Sequence, residues 1–449
     1  MTERTIQMTQ SKSQYVAIGL MLFALFFGAG NLIFPVSMGQ SAGENVWWAV
    51  LGFCLTGVGM PLLCVVAMGY SGCRDLQEAA SRVHPIYGIF FTVLVYMAIG
   101  PCLATPRTGT VAYEIAIRPF LSGAWAENGL PVFMAIFFAV AYWLAATPQK
   151  MVDRIGKVLT PLLLVAIFVL IIKSFVTPMG EMLAPGASYG APFKATIQGV
   201  LDGYNTLDAL ASFVFAYLVI NAVISTGVTD PKQISAQVMK SGTLAVGLLA
   251  LVYVLLAKMG AESVQAIGMQ DTGATVLTLS ANILFGSLGM FVLAVIVLLA
   301  CLTTAIGLIS CCASFFQKLT NISNYKSWCA FFALFAFGVG MFGLKVIISA
   351  AIPVLMFVYP LAVALIALLL LDKWFGGARS VYVCTTAFTF VMALCNGLET
   401  AGVDLGVVGK FFVDYVPLHT LGMGWIGFAL VGFAVGLATK GCCCKCCNR

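Results

Sequence analysis

Long apolar runs fill this chain, separated by short polar segments. A helix that crosses a bilayer needs roughly 20 mainly apolar residues. By that measure the pattern predicts twelve spans, at approximately 15–39, 46–70, 86–105, 130–147, 154–176, 196–226, 239–258, 282–315, 327–344, 347–371, 380–396 and 421–439. The longest polar stretches are about 106–129 and 397–420 on one side and 71–85 on the other. Within the last, Arg74, Asp75, Glu78 and Arg82 stand among small residues and predict a short helix at the membrane surface.

Two of the runs are broken by polar or glycine-rich steps about 175 residues apart. The first is Gly28-Ala29-Gly30-Asn31, the second Gly203-Tyr204-Asn205-Thr206-Leu207-Asp208. The breaks fall in spans one and six, which divides the chain into units at approximately 15–176 and 196–371. Two added helices (380–439) and a cysteine-rich tail (440–449) follow, so residues 1–449 read as a single transmembrane unit. Five spans per unit is an odd number, so the second unit runs inverted relative to the first. Irregular backbone at membrane depth is tolerated only where it is buried in protein or lines a cavity. The first run is too long for a cleaved leader and carries a break within it.

Composition agrees. The chain of 449 residues is 61% hydrophobic and 9% charged, with mean hydropathy +1.02, whereas soluble domains carry about 25% charged residues. The fold class is therefore an all-α polytopic membrane protein. The net charge of +6 comes from basic residues in short loops and does not signal nucleic acid. With the N-terminus in the cytoplasm, 16 of the 23 Lys and Arg fall inside and 7 outside, which places both termini in the cytoplasm.

Candidate chemistry gathers at the breaks. Gly28 and Gly30 weaken the helix and let a ligand approach the backbone. Amides at the start of the following half-helix carry partial positive charge and suit a carboxylate. Carbonyls from about Ala24 to Phe27 suit a cation or an ammonium. The same glycines also suit a plain helix-packing patch. Asp202 and Asp208 are the acids placed inside spans, and an ionisable group there points to function. Asp208 suits a substrate ammonium, a coupling proton or the N-cap of the next half-helix, and Asp202 reads as a solvated acid nearer the surface. Thr303 and Thr304 offer hard oxygen ligands of the kind alkali cations take, or bond their own helix. Arg107, after Pro101 and Pro106, reads as the outer end of span three, lining the vestibule or paired with Glu114. Ten of the 15 cysteines are scattered as small hydrophobes, and five form the tail. The two histidines, His84 and His419, lie far apart, and no catalytic or phosphate-binding motif is present.

Several of these segments resemble the branched-chain amino acid:cation symporter family of the amino acid–polyamine–cation superfamily. Leu25-Phe26-Phe27-Gly28-Ala29-Gly30-Asn31-Leu32-Ile33-Phe34-Pro35 matches its first-span signature. Pro106-Arg107-Thr108, Leu207-Asp208-Ala209-Leu210-Ala211, Val219-Ile220-Asn221-Ala222 and Leu302-Thr303-Thr304-Ala305-Ile306-Gly307-Leu308 follow in the family's order. The cysteine tail departs from it. The resemblance implies a LeuT-type fold and uptake of leucine, isoleucine and valine across a bacterial cytoplasmic membrane, driven by sodium or protons, with no other cofactor. Its substrate contacts would be Phe26, Gly28, Ala29, Gly30, Tyr204, Leu207 and Asp208. Its sodium ligands would be the carbonyls of Ala24, Phe27 and Ala300 with the hydroxyls of Thr303 and Thr304. The expected partners are the amino acid, the coupling cation and the lipid bilayer, with no oligomeric state implied. Another small neutral amino acid, or exchange, is the alternative. A channel would favour rings of charge and an intramembrane enzyme paired catalytic groups, and neither pattern is visible.

Overall fold

The computed structural model describes residues 16–443 except 17, 21, 24, 25, 74, 147–164, 166, 170, 171, 225–227, 229, 322 and 323. Helices account for the architecture. A short helical segment ends near Phe26, and α1 (Ala29–Ala42) resumes after the first break. Then come α2 (Val46–Cys54), α3 (Met60–Ser71), the short surface helix α4 (Leu76–Ser81), α5 (Pro85–Met97), α6 (Ala104–Ala112) and α7 (Ala124–Ala145). The second half holds α8 (Pro192–Tyr204), α9 (Asp208–Ile224), α10 (Pro231–Ile267), α11 (Gly273–Thr320), α12 (Tyr325–Gly340) and α13 (Gly343–Phe375). The chain closes with α14 (Arg379–Thr400), α15 (Val407–Tyr415) and α16 (Trp425–Cys443). Among the described residues seven helical runs are long and apolar enough to cross a membrane, and three shorter apolar helices accompany them. Residues 147–164, from the end of the predicted fourth span into the fifth, and the tail beyond Cys443 lie outside the described residues.

The third span corrects the sequence expectation. Gly100-Pro101 reads as a terminus because proline lacks an N–H and restricts the residue before it. Gly100 does leave the helical region (φ −83°, ψ −120°). The helix nevertheless resumes, with Leu103 N–H donating five residues back to Ala98 O at 3.2 Å. It runs through α6 to a widened turn at Tyr113–Ile117. Arg107 is thus mid-span and buried rather than at an outer end. Likewise α10 extends past the expected 258, so Glu262 joins Asp202 and Asp208 as an acid within an apolar helix. It pairs with Lys258 one turn earlier.

The helices that carry the breaks pack backbone to backbone. A Cβ on Gly260 or Gly39 would overlap a carbonyl across the α1–α10 contact (Val36 O and Ala257 O), and one on Gly199 would overlap Ala49 O between α8 and α2. Such close approach is how apolar helices gain van der Waals contact where lipid offers no hydrophobic contrast. It holds α1 and α8 firmly on either side of the breaks.

Candidate functional site

The first break is local in origin. Gly28 takes an extended conformation (φ −119°, ψ −171°) and α1 starts at Ala29. Asn31 closes the new helix start, its Oδ1 accepting from Gly28 N–H at 2.9 Å while its own N–H donates to Gly28 O at 3.2 Å. At the second break, α8 ends in a tight turn with Leu207 N–H donating to Tyr204 O at 3.1 Å. Leu207 then adopts φ +66°, one of three non-glycine residues with positive φ among those described. Thr206 Oγ1 accepts from Asp208 N–H at 3.3 Å in the turn before α9. Asp208 is the first residue of α9 rather than its cap, and its carboxylate reaches across the bundle.

It reaches the first break. Asn31 Nδ2 donates to Asp208 Oδ2 and to Tyr253 Oη of α10, and Tyr253 Oη donates to the same carboxylate oxygen at 3.2 Å. Asn31, Asp208 and Tyr253 are all buried. Three elements, α1, α9 and α10, are thus joined by one polar cluster inside an apolar bundle. A buried carboxylate is tolerable there because it accepts several hydrogen bonds.

A cavity of about 40 Å³ lies against this cluster. Phe26, Gly28, Ala29, Gly30, Leu207, Asp208 and Thr304, all singled out in the sequence, are among the residues that line it. Gly28 and Gly30 face the side chains of Thr304 and Arg107 rather than another helix backbone. Tyr204 stands outside the lining; its ring stacks on Tyr359 at 4.1 Å between centroids. The space suits a few waters rather than an amino acid. Apolar wall comes from Ile99, Ala211, Phe215 and Leu308, none of which carries a sequence signal beyond hydrophobicity.

The proposed cation ligands are partly placed. Thr303 and Thr304 both donate to Ala300 O, at 2.7 and 3.1 Å, the back-bonding expected of membrane threonines. Their lone pairs remain, and Thr304 packs on the Gly28 position, where a Cβ would lie 3.6 Å from its hydroxyl. Phe27 sits at the break, its N–H donating to Phe23 O at 2.8 Å. Ala24 lies outside the described residues.

Two sequence expectations change. Arg107 does not pair with Glu114, which bonds Arg118 at 2.6 Å. Instead its Nη1 donates to Asn205 O at 2.6 Å, its Nη2 lies 3.4 Å from Thr206 O, and the guanidinium sits 5.0 Å over the Phe34 ring. Asp202 is not simply solvated, since its carboxylate accepts from Tyr189 Oη and from Gln198 Nε2 at 3.0 Å. Tyr253 was not foreseen, because one tyrosine in an apolar run gives no pattern.

Two broken helices meeting over a small cavity give the LeuT-type membrane fold, and solved structures share it. MhsT in complex with L-phenylalanine superposes with TM-score 0.60 at 18% identity, covering 93% of this chain and 98% of its own. Mhp1, a nucleobase-cation-symport-1 family transporter, gives 0.60 at 14% identity, covering 96% and 92%. More particularly, the chain belongs to the branched-chain amino acid transport protein family, whose pattern matches residues 11–442. The branched-chain amino acid permeases BraB and BrnQ of Bacillus subtilis (strain 168) are 45% and 42% identical to it, over 94% and 95% of this chain and 94% and 96% of their own lengths. It is a multi-pass membrane protein of a transport family, not an enzyme.

Proposed function

We propose that the protein is a secondary active symporter that imports leucine, isoleucine and valine by alternating access, coupled to sodium. It would sit in a bacterial cytoplasmic membrane, spanning it twelve times with both termini inside. The observation that carries this reading is the Asn31–Asp208 bond, which ties the two breaks together at the edge of the cavity. The amides that open α1 attract a carboxylate, and the carbonyls that end α8 attract an ammonium. Phe26, Ile99, Ala211, Phe215 and Leu308 supply a wall for a branched side chain, whose burial contributes about 1.5–3 kcal/mol. A sodium ion held by the carbonyls of Ala24, Phe27 and Ala300 and the hydroxyls of Thr303 and Thr304 would lock α11 to the first break. Its gradient would thereby be linked to substrate.

The buried carboxylate of Asp208 favours a second reading, with a proton as the coupling ion. Labelled leucine uptake into liposomes with separately imposed sodium and pH gradients decides between them. Accumulation driven by inward sodium alone supports the sodium reading, and accumulation driven by a pH gradient alone supports the proton. Equilibration without accumulation under either gradient would overturn symport.

A further inference from the structure

Arg107 fills the place that the proposed substrate needs. It is 4% exposed. Its guanidinium occupies the carbonyls of Asn205 and Thr206, the acceptors that end α8 and that an incoming ammonium would use. The close approach on its other side requires glycine, since a Cβ on Gly30 would lie 2.7 Å from Nη2. Phe34 holds the guanidinium plane from α1, an attraction worth more once desolvated. One donor, Nε, is buried without a partner. Among the described residues no ion pair within 4.0 Å joins Arg107 to Asp208, so the guanidinium is seated on backbone carbonyls rather than on the acid.

We propose that Arg107 is a tethered occupant of the ammonium half of the binding site. In the empty protein it holds the α8 carbonyls and keeps the cavity small, and it leaves them when a substrate ammonium arrives. Charge is consistent with this exchange. Arg107 and Asp208 sum to zero, a zwitterionic amino acid adds nothing, and a free cation without a carboxylate leaves the site with excess positive charge. The arrangement therefore selects against simple amines, which must displace a cation and bring no anion for it to face. The orphaned Nε and the released Nη donors are then free to meet the carboxylate that an amino acid carries. This inference rests on the transport reading above and names a residue that sets its substrate class.

Binding to the purified full-length protein tests it with three probes: leucine, isoamylamine (the ammonium without the carboxylate) and methylguanidinium. Removing a charge-assisted occupant should tighten isoamylamine binding to R107A by about tenfold or more. R107K, which restores a cation on a stem of similar length, should return the amine affinity toward that of the original protein. Methylguanidinium should compete with isoamylamine in R107A, because it refills the vacated carbonyls. An arginine that only props the packing would, on removal, lower the melting temperature and weaken all three probes alike. Phe34→Leu, which loosens the seat without touching Arg107, should tighten amine binding a few fold and serves if R107A does not fold. Unchanged or weaker amine binding in folded R107A or in Phe34→Leu overturns the proposal. If the original protein binds no branched-chain amino acid, the transport reading fails instead; if it binds leucine and the amine result is negative, only the role of Arg107 fails.

Discussion

Asn31→Ala removes the side chain that ties one broken helix to the other. Asn31 donates to Asp208 and Tyr253 and accepts from Gly28 N–H at 2.9 Å. Alanine leaves the Gly28 amide and one acceptor position of Asp208 unsatisfied, while the Tyr253–Asp208 bond at 3.2 Å survives. Orphaning a buried polar group costs about 1–3 kcal/mol, so two such groups amount to about 2–6 kcal/mol. That is a large share of a typical stability of about 5–15 kcal/mol. Thermal unfolding of the purified protein and leucine binding should both register it, the affinity falling at least about tenfold if only 1.4 kcal/mol of the loss is felt at the site. Thr92→Ala is the control, since that buried hydroxyl donates at 2.7 Å only within its own helix, to Gly88 O. Its loss should cost about 1 kcal/mol and leave leucine affinity alone. An Asn31→Ala protein with the melting temperature and leucine affinity of the original would refute the cluster as the tie between the breaks.

Thr304→Ala should weaken the sodium dependence of uptake more than it alters the preference for leucine, measured as initial rates against sodium concentration. An unchanged sodium response removes Thr304 from the cation site. Gly260→Ala drives a methyl into the Val36 carbonyl, which is backbone and yields little. It should destabilise by about 1–3 kcal/mol, read as a lower melting temperature and less folded protein on size exclusion. Gly30→Ala places a Cβ 2.7 Å from Arg107 Nη2 and 3.3 Å from Phe34. Leucine binding should fall about tenfold by equilibrium dialysis, since 1.4 kcal/mol of lost complementarity is enough.

The breaks were legible because glycine and polar residues interrupt otherwise apolar helices, and few structures tolerate that at membrane depth. Gly28, Gly30, Leu207 and Asp208 were found by that signal, and the cavity lies among them. Thr304 was legible as one of two adjacent hydroxyls in an apolar run, a signal that the family pattern sharpened. Arg107 was misplaced because a Gly-Pro step and a charge usually mark the end of a span; here backbone hydrogen bonding resumes five residues back, a three-dimensional repair that no local pattern records. Tyr253 and the apolar wall were silent for a different reason. Their roles depend on which face of a long helix meets the break, and an almost uniformly apolar helix has no polar face to give its orientation away.

Leu207 carries the last consequence. A side chain in the left-handed region costs roughly 1–2 kcal/mol that glycine would not incur, yet this buried leucine borders the cavity at φ +66°. Returning that one residue to helical angles would redirect α9 relative to α8 and so reshape the hollow that Leu207 lines. The joint is therefore cocked in the same way as a bent spring. A guest that rests on Leu207 therefore does more than fill space: it bears on the strained joint that aims α9.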